Sequence, residues 1–185
     1  MKHSLLSVQD SGDVLPRYRG TPIDTLLTYH NLGETHGVHK RTELLIGMCM
    51  DHRIRLRILS NFAYVLRTGG ANLRPLEFQV SFAIAVKGVR VLCLIGHGDC
   101  GMVGLASKRD VLVRGLIENA GWEQHQAEDY FDQHASRSEV GNALEFVCSE
   151  AQRLRKRYPG IMVAPLFYGV EDGRLYQIDE GSEVR

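Results

Sequence analysis

The sequence predicts an α/β fold: a single domain with a central, mostly parallel β-sheet flanked by helices, and an antiparallel edge strand near the C-terminus. Residues 44–49 are a short, continuous apolar run, and 89–95 are apolar but for Arg90, the pattern of strands buried on both faces. Helical and strand patterns alternate around them, as parallel strands joined by right-handed crossovers require. The chain has 185 residues, 44% of them hydrophobic, which suits one domain with a real core.

The elements follow in order. The first twenty residues are polar and mixed, an arm or a frayed terminus. Thr21 caps a helix that Pro22 starts and Gly33 stops, with Asp24 favourable to the dipole. After the strand at 44–49, Ile54, Ile58 and Phe62 recur at four-residue spacing and predict a short helix over 54–62. Residues 63–67 form a second strand and 75–87 a helix begun by Pro75 and ended by Gly88. The strand at 89–95 runs into Gly96-His97. A loosely amphipathic helical stretch over 107–134, interrupted at Gly121, forms a lid or an interface element. A better helix begins at Ser138, where Val140, Leu144, Val147, Ala151 and Leu154 make one stripe. Residues 161–164 and 174–178 supply the last strands, the final one antiparallel after the Asp172-Gly173 turn.

Charge and cysteine usage narrow the function. Lys plus Arg and Asp plus Glu number 22 each, so no basic field points to nucleic acid. No apolar run reaches membrane-spanning length and no signal peptide is evident, so a cytoplasmic protein is expected. Four cysteines in such a chain are reduced thiols or metal ligands rather than a disulfide framework.

Chemistry concentrates in Cys49-Met50-Asp51-His52-Arg53 and His97-Gly98-Asp99-Cys100-Gly101. Cys49 ends the first central strand and His97 the third, and parallel strands put both carboxyl ends on one edge of the sheet, where open α/β folds bind ligands. Cys100 follows His97 by three residues. Two thiolates and an imidazole suit Zn2+ and leave the fourth tetrahedral position free. Histidines 30, 36 and 39 are either a further metal group or solvated loop residues. Cys93 and Cys148 read as buried thiols. Asp99 either caps a helix starting at Cys100 or supports the metal ligands.

These segments resemble the β-class carbonic anhydrases. The family pattern Cys-x-Asp-Ser-Arg, then Arg-x-x-Gly-Asn, then Gly-His-x-x-Cys-Gly is met by 49–53, by Arg67-Thr68-Gly69-Gly70-Ala71-Asn72 and by 96–101. His52 replaces the family's Ser, and the glycine loop carries one extra residue. The resemblance runs from 43 to 179, weakest between 107 and 134. It implies that Cys49, His97 and Cys100 ligate zinc and that Asp51 and Arg53 form a catalytic dyad, with Asp51 the fourth ligand in a closed state. It also implies reversible hydration of carbon dioxide to bicarbonate by a zinc-bound hydroxide, in a catalytic core over 44–179. Residues 1–33 would form an arm across the partner of a homodimer or higher homo-oligomer. Relatives with this zinc site hydrolyse carbon disulfide or carbonyl sulfide, and a non-catalytic zinc or anion-binding module is a third reading. His52 either shuttles protons to buffer or turns away and packs.

Overall fold

In the computed structural model, which describes residues 3–181, six strands form one mixed sheet. The strands are β1 (Ser4–Leu6), β2 (Leu44–Cys49), β3 (Ala63–Thr68), β4 (Val91–His97), β5 (Met162–Tyr168) and β6 (Leu175–Asp179), in spatial order β1-β6-β5-β4-β2-β3. The neighbours β3, β2, β4 and β5 run parallel, while β6 is antiparallel to β5 and to β1. Five helices pack around the sheet: α1 (Pro22–Leu32), α2 (Glu77–Ala85), α3 (Arg109–Ala120), α4 (Gln124–Ser138) and α5 (Ala143–Arg157).

Side-chain alternation along the central strands divides the interior into two cores. Val91, Cys93 and Ile95 of β4 join Leu44, Ile46 and Met48 of β2 on the face covered by α1 and the N-terminal segment. Leu92 and Leu94 join Leu45 on the opposite face, against Val80 of α2 and Val147, Ala151 and Leu154 of α5. Every residue of β2 and β4 is buried, so an unbroken apolar run is the pattern these two strands require. Thr21 caps α1 by accepting from the Ile23 amide at 3.2 Å, and Gly33 ends it at φ 73°, a left-handed geometry that glycine adopts without strain. Gly121 ends α3 in the same way, so the stretch read as one interrupted helix is an antiparallel pair, α3 and α4. The pair buries a small core of its own around Val113, Ala127 and Phe131.

Three sequence expectations need correction. Residues 54–62 form no α-helix; the apolar period serves a loop whose Ile54 and Phe62 point into the core. Its backbone groups find tertiary partners: the Ile54 carbonyl accepts from Arg67 at 3.0 Å and the Arg57 amide donates to His30 Nδ1 at 3.0 Å. Residues 3–20, the described part of that segment, are not frayed, since Val8, Val14 and Tyr18 are buried in the first core. Within its own chain, the described part of 1–33 pairs β1 with β6 and lays α1 against the sheet. The last helix starts at Ala143, not Ser138, because Asn142 caps it by accepting from the Leu144 and Glu145 amides, both at 3.0 Å.

Candidate metal centre

The carboxyl ends of β2 and β4 deliver the predicted ligands to one place. Sγ of Cys49, a ring nitrogen of His97 and Sγ of Cys100 all lie within 4.8 Å of one another, and all three residues are buried. Cys49 is the last residue of β2 and His97 the last of β4, so the sheet register fixes both. Cys100 sits on the turn after β4, which continues into a 3-10 turn over Leu105–Lys108 before α3 begins. No helix starts at Cys100, so Asp99 does not cap one.

Three features fit a divalent metal. The two sulfurs are 4.0 Å apart, close to the spacing of about 3.8 Å expected for two thiolates at about 2.3 Å from one tetrahedral ion. His97 Nδ1 faces the Gly98 carbonyl at 2.8 Å, which places its proton there and leaves the Nε2 lone pair free. That Nε2 is buried and has no hydrogen-bond partner. An orphaned buried acceptor is costly unless something binds it, and here it faces two sulfurs.

The electrostatics agree. In the metal-free site the Cys100 thiol donates to Cys49, which pushes the Cys49 thiol down to about 4, with help from His97 and the Gly70 amide, which donates to its sulfur at 3.3 Å. The same bond, and burial, push Cys100 up. Burial lowers His97, but the adjoining Cys49 sulfur outweighs it and leaves the imidazole above its ordinary value. A site holding one thiolate without metal is primed to release its remaining protons to a cation.

Asp51 stands beside this group without belonging to it. Arg53 holds both carboxylate oxygens: Nε reaches Oδ1 at 3.1 Å and Nη2 reaches Oδ2 at 2.7 Å, while the Arg53 amide donates to Oδ1 at 2.9 Å. Arg53 is itself anchored by Asp99, through Nη1 to Oδ2 at 2.8 Å and Nη2 to the Asp99 carbonyl at 2.9 Å. These hydrogen bonds keep the Asp51 carboxyl well below the usual carboxylate range. The stabilisation from this pairing is therefore present above that range and is lost only as acid protonates Asp51. His52 points to solvent with its side chain 88% exposed, 3.9 Å from Asp51.

Arg67 and the glycine loop complete the frame. From β3, Arg67 donates to the carbonyls of Cys49 at 3.2 Å, Asp51 at 3.3 Å and Ile54 at 3.0 Å, clamping the loop that carries Asp51 and Arg53. Gly70 has φ 62°, and a Cβ there would collide with Val140, so both backbone and space require glycine. Histidines 30, 36 and 39 do not gather into a metal group among the described residues. His30 bonds Gly173 and Arg57, His36 bonds Thr28, and His39 bonds Glu43. Cys93 and Cys148 are buried, and burial raises both thiols. Sequence reading missed Glu139, which accepts from the amides of Gly104, Leu105 and Gly141. No short pattern announces a carboxylate that works on another segment's backbone.

No family model matches the sequence, and no curated protein matches it significantly. Solved structures do match. The β-carbonic anhydrase isoform I of Trichomonas vaginalis is 18% identical, with 77% of this chain and 86% of that one covered at a TM-score of 0.61. The carbonic anhydrase of Streptococcus mutans is 19% identical, with 85% and 95% covered and a TM-score of 0.60. The apo form of a carbon disulfide hydrolase is 17% identical, with 78% and 88% covered and a TM-score of 0.55. The chain thus has the β-carbonic anhydrase fold.

Proposed function

We propose that this chain is a zinc enzyme of the β-carbonic anhydrase family that reversibly hydrates carbon dioxide to bicarbonate. The observation that carries the reading is the buried Cys49-His97-Cys100 group with Asp51 held off it by Arg53. A purely structural zinc takes four protein ligands. Here the nearest further carboxylate is engaged elsewhere.

Cys49, His97 and Cys100 would hold the ion. When bound, zinc lowers the pKa of a coordinated water toward neutrality and supplies a hydroxide nucleophile. The chain's own residues do the rest. Asp51, kept well below the usual carboxylate range by Arg53, would accept a hydrogen bond from the nucleophile and orient it. Arg53 fixes the Asp51 carboxylate and keeps it from the metal, and Asp99 fixes Arg53. His52, solvent-exposed next to Asp51, is placed to pass protons to buffer. A cleft of ≈ 430 Å³ lined by Cys100 with Asp99, Val103, Lys108, Asn142 and Phe167 is large enough for a small linear molecule. The carbon disulfide hydrolase among the matched structures supports a second reading, hydrolysis of carbon disulfide or carbonyl sulfide.

The test is stopped-flow hydration of carbon dioxide by the zinc-loaded chain, with carbon disulfide hydrolysis assayed in parallel. The expected result is hydration that rises with pH through the neutral range. Because Asp51 titrates far below that range, this rise reports deprotonation of the nucleophile and not of Asp51. Hydrolysis of carbon disulfide alone would favour the second reading. Inactivity toward both substrates would favour a zinc- or anion-binding module.

The whole chain acts as one domain, in a cytoplasm that keeps its thiols reduced, and as a homo-oligomer. Among the described residues no helix is long and apolar enough to cross a membrane. The surface for a second copy is the β3 edge. β1 covers β6 at the other edge of the sheet, whereas Tyr64 and Val65 of β3 are exposed beside Phe78, Phe82 and Val86 on and after α2, with Phe78 80% exposed. Replacing Phe78 and Phe82 by Asp is expected to convert the oligomer to monomer in light scattering at micromolar concentration. An unchanged mass would place the interface elsewhere.

A further inference from the structure

The α3–α4 pair is not a free lid. Its C-terminal end is wedged between the two loops that build the candidate metal centre. Glu139, just past α4, accepts from the amides of Gly104 and Leu105 at 2.8 and 2.5 Å and from Gly141 at 2.8 Å. The Val140 amide donates to the Met102 carbonyl at 3.1 Å. On the other side, the Val140 side chain lies against Gly70, and Asn72 donates to the Arg137 carbonyl at 3.0 Å. Lys108 tightens the same turn from within, giving its ammonium to the carbonyls of Gly101 and Val103 at 2.7 and 2.8 Å.

We propose that Glu139 is a positioning residue for the metal centre: it fixes the Cys100–Leu105 turn against the Gly69–Asn72 loop, and so fixes the Cys100 sulfur relative to Cys49. This rests on the metal reading above and adds to it a source of rigidity outside the strands that carry Cys49 and His97. The chemistry favours it. Cys49 and His97 are held by sheet register, but Cys100 sits three residues past β4 on a turn with little ladder support. That turn includes Gly104 at φ 68°, a position from which a backbone can relax readily. A carboxylate taking three backbone amides is a strong local fastener, and two of these amides, Gly104 and Leu105, tie the turn to the end of α4. Hydrogen-bonded supports behind metal ligands are worth about 10- to 100-fold in metal affinity.

The experiment measures Zn2+ affinity of the full-length chain by competition with a chromophoric chelator, the thiolate-to-metal charge-transfer band of the Co2+ form, and the melting temperature without metal. Glu139→Ala is expected to bind Zn2+ about tenfold or more weakly and to lose charge-transfer intensity. Lys108→Met, which removes the ammonium bonds to the Gly101 and Val103 carbonyls of the same turn, is expected to weaken binding in the same direction and serves if Glu139→Ala fails to fold. Arg109→Ala breaks the exposed Arg109–Asp132 pair between α3 and α4 without touching the turn, and is expected to leave affinity within twofold. Folded Glu139→Ala with wild-type affinity and spectrum would overturn the proposal. So would Lys108→Met with wild-type affinity where Glu139→Ala does not fold, or an Arg109→Ala chain weakened as much as Glu139→Ala. A folded wild-type chain that takes up no Zn2+ overturns the metal reading itself, a distinct failure.

Discussion

Replacing Cys49 by Ser is expected to remove stoichiometric zinc and to reduce carbon dioxide hydration to background. The side chain ends β2, one strand in from the β3 edge, and the Cys100 thiol beside it pushes the Cys49 thiol down to about 4. A serine hydroxyl at that place is a neutral, harder and shorter-reaching donor, poorly matched to a site built for sulfur. The fold is expected to survive, because β2 stays paired to β3 and β4 along its length. Metal content by elemental analysis and melting temperature, measured on one preparation, separate loss of the ion from loss of the fold. Retention of one zinc per chain in Cys49→Ser would remove Cys49 from the ligand set.

Asp51→Asn carries the second large effect. The substitution keeps size and shape but removes the charge that Arg53 grips and replaces one acceptor oxygen by an amide donor. Proton-handling groups of this kind contribute about 100-fold or more, so hydration is expected to fall by at least about 100-fold with zinc still bound. The charged bidentate contact with Arg53 is lost, leaving the Arg53 side chain held by Asp99 alone. Activity within tenfold of wild type at saturating carbon dioxide would confine Asp51 to a structural ion pair.

The site was legible in the sequence because its ligands adjoin strand ends. An unbroken apolar run ending in Cys49, and another running into His97, state both the strands and their parallel edge. Position 54–62 was not legible. Ile54, Ile58 and Phe62 keep a helical spacing, but Arg67 and His30, distant in sequence, satisfy the local backbone and hold it as a loop. The N-terminal segment misleads by composition: it is mostly polar, yet Val8, Val14 and Tyr18 are spent on the core. The start of α5 was misplaced because the apolar stripe counted from Val140 includes a residue that packs on Gly70 and not on the sheet. Glu139 escaped for a related reason, since its partners are amides, which every residue carries.

At the N-terminus, Ser4–Leu6 pairs antiparallel with β6 of its own chain, an edge pairing that the polar composition of the segment did not announce.

The most direct measurement is the metal content of the pure, untagged, full-length chain, determined by mass spectrometry of the intact protein under native conditions. One zinc per chain, released by a strong chelator and restored by adding Zn2+ back, is the predicted result. A folded chain that carries no divalent ion and accepts none on reconstitution would contradict the account.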